Sequence, residues 1–171
     1  DTNYGAIPPN EPPSTPPTEP NNPPTSPEVS TDWGNAQLLK FDANSGAAKT
    51  GIKGAKFKVY NAAEPYAADC SAATKAGDAI TVNNKTEFVS DVNGLVSIAG
   101  LYVGDSVGSA GAGSQDATKR CYVVEEFEAP AGYVLPQKTT TGISVSKGVL
   151  AAITYSAEIA NNKQPVPQLP L

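Results

Sequence analysis

The chain has 171 residues, of which 39% are hydrophobic and 17% charged, with 15 glycines, 16 prolines and no histidine or methionine. Its net charge of −5, with the 12 basic residues scattered, argues against a nucleic-acid partner, and the lack of histidine removes the commonest general base and metal ligand. No stretch approaches the length of a membrane span and no signal peptide opens the chain, so the sequence reads as a mature or trimmed polypeptide with no membrane segment.

Residues 1–32 form the first unit. Ten of the 16 prolines fall between Pro8 and Pro27, in PPNEPPSTPPTEPNNPPTSP. Such a segment buries almost nothing and lacks the backbone donors that helix or sheet needs. It is expected to be an extended arm, able to span ~60 Å at about 3.1 Å per residue. Two uses fit an arm of this kind, a spacer and a ligand for a proline-binding groove, and the spacer is preferred because nothing in the sequence supplies the groove. Asp1–Ile7 reads as the end of an upstream domain.

Residues 33–163 have a different texture, with short alternating apolar runs between turn residues. Strands are predicted near Asn35–Asp42, Ala55–Ala62, Phe88–Ser90, Val96–Ile98, Cys121–Phe127, Ile143–Val145 and Leu150–Ala160. Turns are predicted at Asn44-Ser45-Gly46, Val92-Asn93-Gly94 and Ala131-Gly132. Gly104–Gly113 reads as a mobile loop, and Pro65–Asp78 as a place for a short helical turn. The fold class is all-β, an immunoglobulin-like sandwich of two sheets. Residues 164–171 make an extended proline-rich tail.

Cys70 and Cys121 are the only cysteines. They read either as two unrelated buried thiols or as a disulfide; the extracellular character of the composition favours the disulfide. Closing that loop is worth roughly 4 kcal/mol in the chain-entropy account. Two cysteines without histidine cannot complete a tetrahedral shell, so no metal and no cofactor is expected.

Three polar residues fall where apolar ones belong. In the final strand Ile153, Tyr155, Ala157 and Ile159 share a face, and the period carries Asn161 onto it. A buried amide without a partner costs on the order of 1–3 kcal/mol. In the Cys121–Phe127 strand, alternation sends one of Glu125 and Glu126 inward without saying which, although Glu126 shares its face with Tyr122 and Val124. Lys40 lies within the apolar run LLKFD. Taken singly, each has a solvated reading: a strand-end Asn, an edge acidic pair, a snorkelling Lys. Sealed together, a deprotonated amine, a carboxyl group and a carboxamide are a nucleophile, an acid/base and an electrophile.

Five segments resemble the collagen-adhesin B-type domains of Gram-positive surface proteins and sortase-assembled pilins. Tyr122–Tyr133 (YVVEEFEAPAGY) is similar to the Y-x-x-x-E-T-x-A-P-x-G-Y box, with Phe127 in place of the usual Thr. Gly54–Tyr60 resembles the G-A-x-F-x-L-Y strand, and Ser90–Leu101 the T-D-x-x-G-x-V-x-F-x-G-L hairpin. Leu39-Lys40-Phe41-Asp42 resembles the opening K-x-D strand, and Ile159–Lys163 the closing strand. The resemblance implies a spontaneous isopeptide bond between Lys40 and Asn161, with Glu126 polarising the Asn161 carbonyl and shuttling protons. Asn162 is the rival acceptor, one residue out of phase.

Leu169-Pro170-Leu171 is similar to the start of an L-P-x-T-G sorting signal, lacking the Thr and Gly. The resemblance therefore implies a pilin domain at the C-terminal end of a cell-wall-anchored fimbrial subunit, outside the cell. Its partners would be a pilus sortase and neighbouring pilin subunits; the alternative is an adhesin or pilus-base domain binding a host or cell-wall ligand. Self-linkage is single-turnover, so the chain is not an enzyme in the usual sense, and no histidine or nucleophile elbow supports a hydrolase.

Overall fold

A computed structural model describes residues 30–105, 116–151 and 154–166. Among the described residues there are eight strands, in chain order β1 (Thr31–Asp42), β2 (Lys56–Ala62), β3 (Lys75–Ile80), β4 (Phe88–Val89), β5 (Leu95–Asp105), β6 (Lys119–Glu128), β7 (Thr140–Ser146) and β8 (Ala157–Asn161). They form two sheets, one ordered β5-β1-β8 and the other β3-β2-β6-β7 with β4 paired to β2. Among the described residues all strand–strand pairings are antiparallel except β1 with β8, the first of these strands with the last. This is the immunoglobulin-like two-sheet sandwich that the alternation predicts.

Period-two patterning explains the packing. Ala36 and Leu38 from β1, Val96, Ile98, Leu101 and Val103 from β5, and Phe57 and Val59 from β2 meet Tyr122 and Val124 from β6 and Ile143 and Val145 from β7 in one buried core. The opposite face of β6 is also covered. Cys121 and Val123 pack there with Ala62 and Cys70, under the segment that joins β2 to β3. A disulfide joins Cys70 to Cys121, with 5.2 Å between Cα atoms. The amide of Cys121 donates to Pro65 O (2.7 Å), and Lys119 Nζ to Ala68 O (2.6 Å), so the covering segment is pinned at several points. Gly142 of β7 lies so close beneath it that a Cβ there would sit 2.0 Å from Cys70 O.

Three sequence-based expectations need correction. The region Pro65–Asp78 holds turns and bends followed by β3, with no helical turn; the one short helical segment among the described residues is Gly46–Ala48, which begins at the last residue of the predicted Asn44-Ser45-Gly46 turn. Gly104 and Asp105 of the predicted mobile loop belong to β5, paired with Asp32 and Thr31, while residues 106–113 lie outside the described residues. The final strand begins at Ala157, not Leu150: Tyr155 precedes it and is 38% exposed, and Ile153 lies outside the described residues. Residues 1–29 of the arm and the tail residues Leu169, Pro170 and Leu171 also lie outside them.

Candidate functional site

The parallel pairing of β1 with β8 runs from Leu38↔Ala157 to Asp42↔Asn161, with Lys40 opposite Ile159. Lys40 and Asp42 share a face of β1, so Asn161 enters the sandwich at the same end and from the same sheet as Lys40. Glu126 arrives from the other sheet. Within β6 it follows Tyr122 and Val124 on the core face and is 1% exposed, whereas Glu125 turns outward to accept hydrogen bonds from Lys75 Nζ (2.8 Å) and Tyr60 Oη (3.1 Å). The choice between the two glutamates, open on alternation alone, is set by the side of β6 that carries the core.

One carboxylate therefore touches both of the other groups. Lys40 Nζ donates to Glu126 Oε1 at 2.8 Å, and Asn161 Nδ2 donates to Glu126 Oε2 at 2.6 Å. Lys40 is 0% exposed and Asn161 1%. Burial holds the Lys40 amine below its ordinary value of 10.5, against the smaller opposing pull of Glu126. The Asn161 carbonyl oxygen, Oδ1, is buried without a hydrogen-bond partner among the described residues. In this orientation Glu126 faces the amide nitrogen of Asn161, whereas the resemblance had it facing the carbonyl; a half-turn of the carboxamide exchanges the two ends. Asn162 is exposed, and its backbone oxygen accepts from Val134 N (2.9 Å).

Backbone contacts fix Lys40 as firmly as its side chain. Its N–H donates to Gly94 O (2.7 Å) and its carbonyl accepts from Ile52 N (2.9 Å). The 91–94 turn can lie this close because Gly94 has φ +80° and no Cβ, which would otherwise stand 2.2 Å from Lys40 O. The glycine of the Ser90–Leu101 hairpin thus serves the lysine of β1.

A further layer encloses this end of the sandwich, and the sequence reading missed it. Asp42, two residues after Lys40, accepts from Asn44 N (2.8 Å) and from Tyr133 Oη (2.8 Å), with Lys163 Nζ 3.7 Å away. These donors, the Asn44 N–H first, hold the Asp42 carboxyl below its ordinary value of 3.8. Both Asp42 and Tyr133 stand in the quoted motifs, and that was the signal available for them. Among the described residues no group of His, Cys, Asp or Glu is arranged to hold a metal ion.

With this geometry in view, known proteins supply context. The chain is 42% identical over 146 residues to the type 2 fimbrial subunit of Actinomyces naeslundii, an alignment covering 84% of this chain and 27% of that protein. The crystal structure of the Actinomyces fimbrial adhesin FimA superposes with a TM-score of 0.65 at 38% identity, covering 89% of this chain and 51% of that one. The fold is that of a pilin domain. The full-length major pilin SpaD of Corynebacterium diphtheriae also superposes on the pilin fold, with a TM-score of 0.57 at 26% identity over 81% of this chain and 32% of its own. The chain thus spans about a quarter of the length of the fimbrial subunit and half of the FimA chain. No family model matches the sequence. Among the described residues no helix is long and apolar enough to cross a membrane.

Proposed function

We propose that this is a collagen-adhesin B-type domain from the C-terminal part of a structural pilus subunit, locked by an autocatalytic bond between Lys40 and Asn161. The observation that carries this reading is the single buried carboxylate of Glu126 in hydrogen-bond contact with both the amine and the carboxamide. In the reaction, the deprotonated Lys40 nitrogen attacks Asn161 Cγ and forms the new N–C bond. Glu126 takes a proton from that nitrogen at Oε1 and delivers one to the departing Nδ2 at Oε2. The Cγ–Nδ2 bond breaks, ammonia leaves, and Glu126 ends as it began. Each side chain reacts once, so the chain is its own substrate.

The mechanical consequence follows from topology. β1 and β8 are the first and last strands, and they lie side by side and parallel. A covalent link between them closes a loop of about 120 residues, worth roughly 5 kcal/mol by analogy with a disulfide. Tension applied at the two chain ends then loads that link before the strands beyond it. A fibre under pull needs such a bypass, which fits the fimbrial relative.

Leu169-Pro170-Leu171 would begin the signal at which a pilus sortase joins the subunit to its neighbour or to the cell wall, placing the mature protein on the cell surface. A second reading, an adhesin or pilus-base domain that binds a host or wall ligand, is favoured by one observation: the structurally similar FimA is described as a fimbrial adhesin. Intact mass of the reduced protein tests the central proposal. The wild type should weigh one ammonia less than its sequence, and Glu126→Ala should weigh its full sequence mass; a full-mass wild type would remove the reaction from the account.

A further inference from the structure

Around the reactive end the chain closes a ring of contacts that touches none of the three reacting groups through a side chain. The segment after β6, through Tyr133 and Val134, meets the last residue of β1 and the residues that follow β8. Tyr133 pairs with Lys163 across an isolated antiparallel bridge. Val134 N donates to Asn162 O (2.9 Å), and Gln164 N to Gly132 O (2.8 Å). Asp42 is opposite Asn161 in the register, and Ala43 N donates to Asn161 O (2.9 Å). The Tyr133 hydroxyl then closes the ring by donating to Asp42 Oδ2. Residues 162–164, directly after Asn161, are held to the segment that follows β6, and Asp42, the residue opposite Asn161, is held to the same segment.

We infer that Asp42 and Tyr133 are positioning residues for the Lys40–Asn161 reaction, a latch that sets the Asn161 carboxamide against Glu126 and closes the end of the sandwich to water. The inference rests on the isopeptide reading above. The physical ground is that an attack within a buried site depends on sub-ångström placement, and a displacement of about 1 Å costs on the order of 100-fold in rate. β8 has five residues and is paired on one side by β1, so its ends are where fraying starts, and Asn161 is one of them. The latch acts at that point. Asp42 is 9% exposed, and its three donors favour the ionised form, so it accepts from Tyr133. The groups facing it are the charged Lys163 from the segment after β8 and two neutral donors, the Asn44 N–H and the Tyr133 hydroxyl from the segment after β6.

The test uses the whole chain. Wild type, Tyr133→Phe and Asp42→Ala are purified rapidly, and the full-mass and ammonia-depleted species are followed by intact mass during incubation. Ile143→Val, a core truncation remote from the latch, serves as a control with a comparable or larger loss of melting temperature. The latch predicts that freshly isolated Tyr133→Phe and Asp42→Ala retain full-mass chain that converts at least about tenfold more slowly than wild type, while Ile143→Val arrives converted. Loss of one hydroxyl in Tyr133→Phe leaves the fold intact, so this variant decides the matter even where Asp42→Ala is poorly folded. Full conversion of Tyr133→Phe at isolation, or equal slowing in Ile143→Val, would overturn the latch and leave the isopeptide reading standing. A wild type that keeps its ammonia would overturn both, and is told apart by that single mass.

Discussion

Lys40 and Glu126 face each other from opposite sheets, Nζ to Oε1 at 2.8 Å, and neither is more than 1% exposed. An ion pair so placed is a poor way to stabilise a sandwich. Removing two charges from water costs several kcal/mol each, and apolar residues of similar volume often serve as well or better. The pair makes sense as a reactant and its acid/base partner, with Asn161 on the second carboxylate oxygen. Once the amide forms, the amine is gone and the sandwich no longer has to hold a buried ion pair.

Stability should therefore fall in a defined order. Asn161→Ala keeps the Lys40–Glu126 contact and loses the bond together with a buried side chain, a cost of at least about 5 kcal/mol or roughly 10–20 °C in melting temperature. Glu126→Ala loses the bond and also strands a buried amine, a further cost of order 1–3 kcal/mol. Thermal unfolding should rank wild type above Asn161→Ala, and Asn161→Ala above Glu126→Ala. Equal melting temperatures for wild type and Asn161→Ala would mean that no link forms.

The amine also writes a signature in pH. In an unlinked chain Lys40 has a folded value below its unfolded 10.5. Between those two values the unfolded state binds more protons, so stability rises with pH through that window. Asn161→Ala should show this rise, and the linked wild type, with no amine to titrate, should not. Tyr122 is raised by burial above 10.0 and contributes a fall above that pH in both proteins, so their difference isolates Lys40. Denaturant unfolding from neutral pH to about pH 10 measures it.

Asp42 carries the opposite dependence. Its folded value is lowered, chiefly by the Asn44 N–H and the Tyr133 hydroxyl, from 3.8. The stability it contributes is complete above 3.8 and disappears as pH falls through the lower folded value. Asp42→Asn should thus lose less melting temperature than wild type between about pH 6 and pH 3. An identical acid response in the two proteins would show that the carboxylate is not held by these donors.

How much of this was readable beforehand depends on the residue. Lys40 was legible only as a charge inside the apolar run LLKFD, whereas Asn161 stands on the core face by period-two counting, and counting suffices where a strand is regular. It failed for Tyr155, because β8 starts two residues later and the face is not yet defined there. It was silent between Glu125 and Glu126, because both faces of β6 are covered: the disulfide-bearing segment buries Cys121 and Val123 on one side while the main core takes Tyr122 and Val124 on the other. β3 went unseen because KAGDAI has a glycine, an aspartate and a single β-branched residue, and most of it is exposed. The Asp42–Tyr133 contact joins positions 91 residues apart, which no local pattern can signal.

The disulfide should behave as a staple for the outer covering and not for the reactive site. Replacing both Cys70 and Cys121 with Ser should cost about 4 kcal/mol, somewhat less where the outer link already restrains the nested loop. Ammonia loss should remain complete. Gly142→Ala should mimic part of this effect by pushing Cys70 O away from β7, lowering the melting temperature without changing the mass deficit. Failure of the double Ser variant to lose ammonia would tie the staple to the reaction after all.

The most direct measurement is protease digestion of the reduced wild-type chain followed by fragment-ion sequencing. The account predicts a branched peptide in which the Lys40 side chain is joined to the Asn161 side chain, and its disappearance in Glu126→Ala. Recovery of two linear peptides, one with a free Lys40 amine and the other with an intact Asn161 carboxamide, would contradict it.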